Sequence, residues 1–426
     1  MNNTELRKKL TEGFFDARLR ELYGSCGWLE YQRGRYTKLL DEFTERYGER
    51  ENVAFYSVPG RSEISGNHTD HNRGKVIAAS IDLDIVAVAA PADDGFVRVT
   101  SVGFEPDEVE LCRLEDYKKD QFCSSALIAG VCAGFRERGY KAEGLVAYTH
   151  SNVLKGSGLS SYAAFEVMIG NLQSRIHNDN KVSAPELAMI AQYAENEYFG
   201  KPCGLMDQTA CAVGGFVAID FEDPKAPKIE KREFDLAKAG YTLCIVDTGG
   251  NHADLNEDYA SVPAEMKAVA AHFGKEVLRQ LTRRDVLGHI DALREEVGDR
   301  AILRALHFFD ENDRVDMQSK ALFSGDLDAF FEGVLASGES SMRLLQNTMT
   351  TKNVSEQGLT LALDLAKRAL EGQKAAWRVH GGGFAGTIQA YVPTEFVASF
   401  GSVLESVFGN GSVHRLSVRS EGATAL

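Results

Sequence analysis

Long apolar runs are missing from this chain. Nowhere do eighteen or more apolar residues follow one another, so no membrane-spanning helix is expected. The N-terminal segment, Met-Asn-Asn-Thr-Glu-Leu-Arg-Lys-Lys, lacks the apolar core of a secretory signal, and the expected location is cytoplasmic. Positive charge is also scarce. With 47 Lys and Arg against 62 Asp and Glu, the formal charge of −15 argues against nucleic acid or an anionic membrane as the main partner. It leaves room for a local basic pocket. Cysteine pairs are absent too: the seven cysteines are scattered without a CxxC spacing, which excludes a disulfide framework and gives no zinc motif. There is no repeat of solenoid length and no low-complexity segment. Finally, no GxxxxGK[ST] loop occurs, so any nucleotide must bind by a different fold from the P-loop.

At 426 residues the chain exceeds the size at which one hydrophobic core stops growing, and two domains are expected, residues 1–221 and 222–426. Residues 151–164 are the stretch around which the rest is organised. They turn abruptly from glycines and hydroxyls into a helix, on one face of which Phe165, Met168, Ile169, Leu172 and Ile176 recur at helical spacing. Gly156, Ser157, Gly158, Leu159, Ser160 and Ser161 therefore lie ahead of, or in, a first helical turn. There the backbone N–H groups lack intrahelical partners and the helix dipole is positive, which suits a phosphate. An ordinary loop with serine caps has the same composition.

The opening fifty residues read as charged helices with Leu39, Leu40 and Phe43 as an apolar edge. A break is expected at Val58-Pro59-Gly60. The polar block of residues 61–74, Arg-Ser-Glu-Ile-Ser-Gly-Asn-His-Thr-Asp-His-Asn-Arg-Gly, stands between apolar stretches, and its arginine, histidines and aspartate favour use on a ligand. A β-rich run over 76–90 and a strand over 96–102 follow. Ser183-Ala-Pro-Glu186 reads as a capping box opening a helix with Leu187, Ile190 and Ala194 on one face and Glu195 at its end. After a turn over 200–208, Asp207 stands among Leu205, Met206, Ala210 and Val213, a setting in which a carboxylate is paired or functional. Residues 222–232 read as a charged linker, 243–246 as a strand, and the next hundred residues as mostly helices.

Two motifs are decoys. Gly381, Gly383 and Gly386 match GxGxxG, but a strand-like segment follows them where a dinucleotide site needs a helix. His68, Asp70 and His71 have the residue types of metal ligands but no matching distant motif, so a structural or substrate-contacting role is preferred.

Taken together, four separated segments resemble the galactokinase branch of the GHMP small-molecule kinases. Pro59-Gly-Arg-Ser-Glu-Ile-Ser-Gly-Asn-His-Thr-Asp-His-Asn72 is similar to the signature P-G-R-x-N-L-I-G-E-H-T-D-Y-N. The loop from Gly156 to Ala164 is similar to G-G-G-L-S-S-S-A-A. Ala194-Glu195 and Pro202-Cys-Gly-Leu-Met-Asp-Gln208 are similar to A-E-H and P-C-G-I-M-D-Q, and Gly381 to Gly386 to G-G-G-F-G-G. The resemblance implies an α+β fold of two domains, the first like the second domain of ribosomal protein S5 and the second ferredoxin-like, with the active site in the cleft between them. It implies transfer of the γ-phosphate of ATP to the C1 hydroxyl of galactose, using Mg²⁺, by a monomer or weak dimer.

Carried over by position, the resemblance makes Asp207 the base or orienter and Arg61 the charge stabiliser. Asn67, His68, Asp70, Gly204 and Tyr259 fall at sugar contacts, residues 156–161 at the ATP phosphates, and Glu195 with Ser161 at the metal. Phosphoryl transfer asks mainly for positioning and charge neutralisation, and such a set can supply both.

Three departures matter. Asn67 replaces a glutamate that contacts the sugar's 6-hydroxyl, and an amide there could donate to a uronic acid. His71 replaces a tyrosine. Both changes are similar to plant galacturonokinases, so galacturonate is an alternative substrate. Tyr162 replaces the loop's third serine, which keeps open a sugar- and ATP-binding sensor without turnover.

Overall fold

The computed structural model describes residues 1–24, 29–119, 122–153, 159–201, 203–250 and 255–426. Strands β1 (Ala54–Ser65), β2 (Lys75–Pro91), β3 (Phe96–Ser101), β4 (Asp107–Glu110), β5 (Leu145–Ser151), β6 (Phe216–Asp220) and β7 (Lys228–Arg232) precede a second group: β8 (Tyr241–Asp247), β9 (Ala376–His380), β10 (Thr387–Pro393), β11 (Val413–Leu416) and β12 (Thr424–Ala425). They make two sheets. The eight-stranded sheet has the order β12-β1-β2-β5-β3-β4, with β6 and β7 branching from β2, and the four-stranded sheet the order β11-β8-β10-β9. Every pairing is antiparallel except β3 with β5. The result is an α+β fold of two domains.

Helices α1 (Asn3–Thr11), α2 (Asp16–Tyr23) and α3 (Leu29–Tyr47) cover one face of the large sheet. Their Leu39, Leu40 and Phe43 pack with Phe55, Val86, Val88 and Val146. The other face receives α4 (Ser124–Glu137), α5 (Ser161–His177), α6 (Ala184–Ala194) and α7 (Met206–Val213). Met168, Ile169 and Leu172 of α5 are wholly buried there, which is the apolar face expected from their spacing. Next come α8 (Asn256–His272), α9 (Arg283–Leu287), α10 (Ile290–Glu296), α11 (Asp299–Ser324) and α12 (Leu327–Ser340), while α13 (Gly358–Ala369) and α14 (Val397–Phe408) cover the small sheet. Val315, Phe330, Ile245 and Tyr391 extend the main core from the large sheet to the small one, so the domains are joined by packing rather than by a linker.

Several local expectations are corrected. No break occurs at residues 58–60: β1 runs through Pro59, and a register shift between Pro59 and Arg61 absorbs the missing amide donor. Residues 228–232 are β7, paired with β6, so much of the supposed linker belongs to the large sheet. Its charges suit a strand at an open sheet edge. The C-terminal β12 also joins this sheet, beside β1, so the large sheet recruits chain from well beyond residue 221. The capping box at α6 is half formed. Ser183 accepts from the Glu186 N–H, whereas the Glu186 carboxylate accepts from the Tyr140 hydroxyl at 2.8 Å, a partner brought in by tertiary packing. The glycine cluster at 381–386 lies between β9 and β10, two antiparallel strands, which removes the dinucleotide reading.

Candidate active site

Three elements meet where β1 leaves its first bulge. Arg61 projects from β1, Asp207 from the first turn of α7, and Ser160 from the residue before α5, held at φ +58°. The Arg61 guanidinium grips Asp207 through two hydrogen bonds of 2.7 Å, Nε to Oδ1 and Nη2 to Oδ2. The Ser160 hydroxyl donates to the same Oδ2. The Arg61 backbone N–H donates to the Leu159 carbonyl at 3.3 Å, tying β1 to the loop. Gly60 lets this happen, since a Cβ there would lie 3.1 Å from the Leu159 oxygen. Leu159, Ser160 and Ser161 thus take their expected places around the start of α5. Gly156, Ser157 and Gly158 lie outside the described residues.

Burial would raise the pKa of Asp207, but the Arg61 charge, with the Arg61 and Ser160 hydrogen bonds, outweighs it and holds the carboxyl below its usual range. Asp207 is therefore an anion at neutral pH. Such a carboxylate is better at fixing the direction of a hydroxyl than at keeping its proton.

A second acidic group lies behind the first. Helix α6 runs into a π-helical turn, Glu195–Phe199, a distortion common at functional sites. Glu195 accepts from the Gln208 amide at 2.8 Å and lies 3.5 Å from the Lys201 ammonium. Glu166, wholly buried in α5, reaches the same amide at 3.4 Å, and its Oε1 has no partner among the described residues. Burial first, and the neighbouring carboxylates second, push the Glu166 pKa well above its usual range; burial also raises that of Glu195. Two carboxyls that resist ionising together, beside one amide and one lysine, make an environment that fits a divalent cation. Among the described residues no three His, Cys, Asp or Glu converge as a complete metal cage. One or two carboxylates are enough for Mg²⁺ when phosphates supply the rest.

The other wall is built from the polar block of residues 61–74 and the glycine turn. The His68 Nε2 meets the Gly382 carbonyl at 2.8 Å, and burial lowers its pKa to about 4, so the ring is neutral. Asp70 keeps 17% of its side chain exposed and is backed by Gly204, where a Cβ would come within 2.5 Å of Asp70 Oδ2. Tyr259 donates to the Gly383 carbonyl at 2.9 Å, and its ring occupies the space beside Gly382.

Asn67 departs from expectation. It is wholly buried, and its amide is spent inside the protein: Nδ2 donates to Glu63 Oε1 at 2.8 Å and to the Gly381 carbonyl at 2.7 Å, while Oδ1 accepts from Asn347 at 2.8 Å. Both amide protons are thereby used within the protein, which leaves none to donate to a sugar.

A galactokinase galactose-binding signature matches residues 41–91, and a GHMP kinase N-terminal domain matches residues 126–215. A galactokinase from Streptomyces coelicolor is 33% identical over 374 residues, covering 86% of this chain and 92% of its own. The chain belongs to the galactokinase family. Another galactokinase, from Actinobacillus pleuropneumoniae, is 30% identical over 80% of this chain and 85% of its own. The crystal structure of Lactococcus lactis galactokinase complexed with galactose superposes with a TM-score of 0.77 at 26% identity, covering 92% of this chain and all of that one. Mevalonate kinase of Methanococcus jannaschii, at 14% identity and a TM-score of 0.61 over 87% of this chain and 99% of its own, shares the fold.

Tyr162, the residue that departs from this family's phosphate loop, is exposed. Its ring packs 5.4 Å from that of Phe199, with the Lys201 ammonium 5.7 Å away. Sequence reasoning missed Glu63, Glu166, Asn347 and Glu311. The last, wholly buried on α11, accepts from the Gly66 N–H at 3.1 Å, from Ser337 at 2.5 Å and from Arg314 at 2.8 Å, and so anchors the galactose-binding signature from the second domain. Glu63 had a readable signal: the family signature has asparagine there and glutamate at position 67, the reverse of this chain.

Proposed function

We propose that this protein is an ATP-dependent sugar 1-kinase that transfers the γ-phosphoryl group to the C1 hydroxyl of galactose. The observation that carries the reading is the Arg61–Asp207 pair, held bidentate beside Ser160 at the start of α5 in a chain of the galactokinase family. Asp207 accepts the C1 hydroxyl and turns its oxygen toward the phosphorus; as an anion of low pKa it takes the proton only as the O–P bond forms. Arg61, fixed by two hydrogen bonds, places positive charge between that oxygen and the γ-phosphate, where negative charge accumulates. Residues 156–161 cradle the phosphates. Asp70, His68, Gly204 and Tyr259 shape the sugar pocket, with Asp70 accepting from sugar hydroxyls. Glu195 and the Ser161 hydroxyl would hold Mg²⁺, with Glu166 behind them; the ion supplies charge neutralisation on the nucleotide phosphates.

Nothing favours the sensor, since Arg61, Asp207 and Glu195 are assembled together. Galacturonate is disfavoured by the Glu63 carboxylate, which keeps an acid beside the signature where Asn67 alone suggested a neutral site. The test is ADP release by purified protein with MgATP and, separately, galactose, galacturonate, glucose and N-acetylgalactosamine. Turnover with galactose ahead of the other three is expected. Silence on all four would refute the kinase reading.

A further inference from the structure

Glu63 and Asn67 stand in exchanged order relative to the signature, and the structure sets them against each other at 2.8 Å. One carboxylate and one amide are retained, with the charge moved four residues along the chain. A buried cation dictates where that charge can reside. Arg378 of β9, wholly buried, donates from Nη2 to Glu63 Oε1 at 2.9 Å and from Nη1 to the Ile64 carbonyl at 2.9 Å. An anion at position 63 is therefore matched. At position 67 an acid could not replace the amide, because it would point an oxygen at the Gly381 carbonyl and at Glu63 itself.

Glu63 Oε1 takes both donors, from Arg378 and Asn67, and among the described residues none donates to Oε2. Glu63 and Arg61 pair without interruption to Ala78 and Ser80 of β2, so strand alternation puts both side chains on the same face as the transfer site. Burial raises the Glu63 pKa above its usual value against the pull of Arg378, Asn67 and Arg61, the Asp70 carboxylate adding to the rise, and 8% of the Glu63 side chain is exposed. We infer that Glu63, seated by Arg378 and Asn67, receives a sugar hydroxyl on Oε2 and turns away acidic sugars, with Asn67 as its positioning residue. This rests on the galactose kinase reading. A hydroxyl gains a charge-assisted hydrogen bond from such an oxygen, whereas a sugar carboxylate is repelled by it.

The test compares wild type and the isosteric Glu63→Gln on galactose, its four deoxy analogues lacking one hydroxyl at C2, C3, C4 or C6, and galacturonate. Glu63→Gln is expected to raise the galactose KM about tenfold or more with little change in kcat, as loss of a hydrogen bond to a charged group does. For one deoxy sugar the two proteins should have KM values within about twofold, because each has lost the same bond. Preference for galactose over galacturonate should fall about tenfold. Asn67→Asp should also raise the galactose KM, and in Glu63→Gln/Asn67→Asp the two penalties should not multiply, because Asn67 acts only through the Glu63 carboxylate. Penalties that simply multiply for every deoxy sugar, with the galacturonate preference intact, would overturn the inference while leaving the kinase reading standing. A wild type silent on galactose would overturn both. Should Glu63→Gln not fold, Glu63→Asp withdraws the carboxylate by one methylene and supports the same comparison.

Discussion

Replacing Asp207 with asparagine removes a charge and almost nothing else, and the structure sets the size of the effect. Among the described residues the carboxylate accepts three hydrogen bonds, two from Arg61 and one from Ser160. An amide can accept at one atom only, so one guanidinium N–H faces another N–H, and the 7% exposed Arg61 loses its counter-ion. Breaking a buried pair from one side costs about 3–5 kcal/mol. The Asp207 side chain is 30% exposed, so water relieves part of this and a stability loss at the lower end, about 2–3 kcal/mol, is expected. The catalytic loss is larger. Removing the group that receives the nucleophile's proton costs roughly 10²–10⁴-fold, and a misaimed electrostatic donor roughly 10²–10³-fold. The two act as a unit and do not multiply, so kcat should fall about 10³–10⁴-fold, or about 4–5.5 kcal/mol at 1.36 per decade. Coupled ADP release at saturating galactose and MgATP measures it, with nucleotide titration and thermal unfolding as checks that the fold is intact. A folded Asp207→Asn enzyme within about tenfold of wild type would refute the assignment of Asp207.

Gly204→Ala should raise the galactose KM about tenfold or more while changing kcat less, because the added methyl displaces Asp70 and not Asp207; steady-state kinetics separates the two. Glu195→Gln should raise the Mg²⁺ concentration for half-maximal activity about tenfold or more, read from a metal titration at fixed ATP. Glu311 predicts an acid limb of stability. Burial would raise its pKa, but Arg314, His307 and Arg378, with the Ser337 hydrogen bond, bring it down to about 2 from 4.5. A folded pKa below the unfolded one means that stability is fully present above pH 4.5 and is lost as the pH falls toward about 2. The loss is on the order of 3 kcal/mol over that window. Urea unfolding from pH 5 to 2.5 should follow this slope in wild type, and Glu311→Gln should remove its share; parallel curves would refute the linkage.

Residues that work through their neighbours in sequence could be read before any coordinates. The apolar face of α5 follows from its spacing, and a glycine- and hydroxyl-rich stretch before that face marks a place for phosphate, because both depend on one turn of backbone. Asp207 was legible as a charge among apolar neighbours, although its partner Arg61, 146 residues away, came from the family motifs and not from periodicity. Edge strand β7 was misread because alternating charges look alike in a linker and on an open sheet edge, and only the pairing with β6 separates them.

Asn67 marks the limit more sharply. An amide in a sugar-binding signature reads as a ligand contact as long as its surroundings are taken to be those of its sequence neighbours. Its actual partners include Gly381 and Asn347, 314 and 280 residues away, which take one amide proton and give one to the amide oxygen. Glu63, four residues earlier and held by the second domain's Arg378, receives both of its donors among the described residues on one oxygen. Sequence could name the two residue types that the site contains. Deciding which of the two positions suits the acid needed the position of one buried arginine, since an anion at 63 is matched by Arg378.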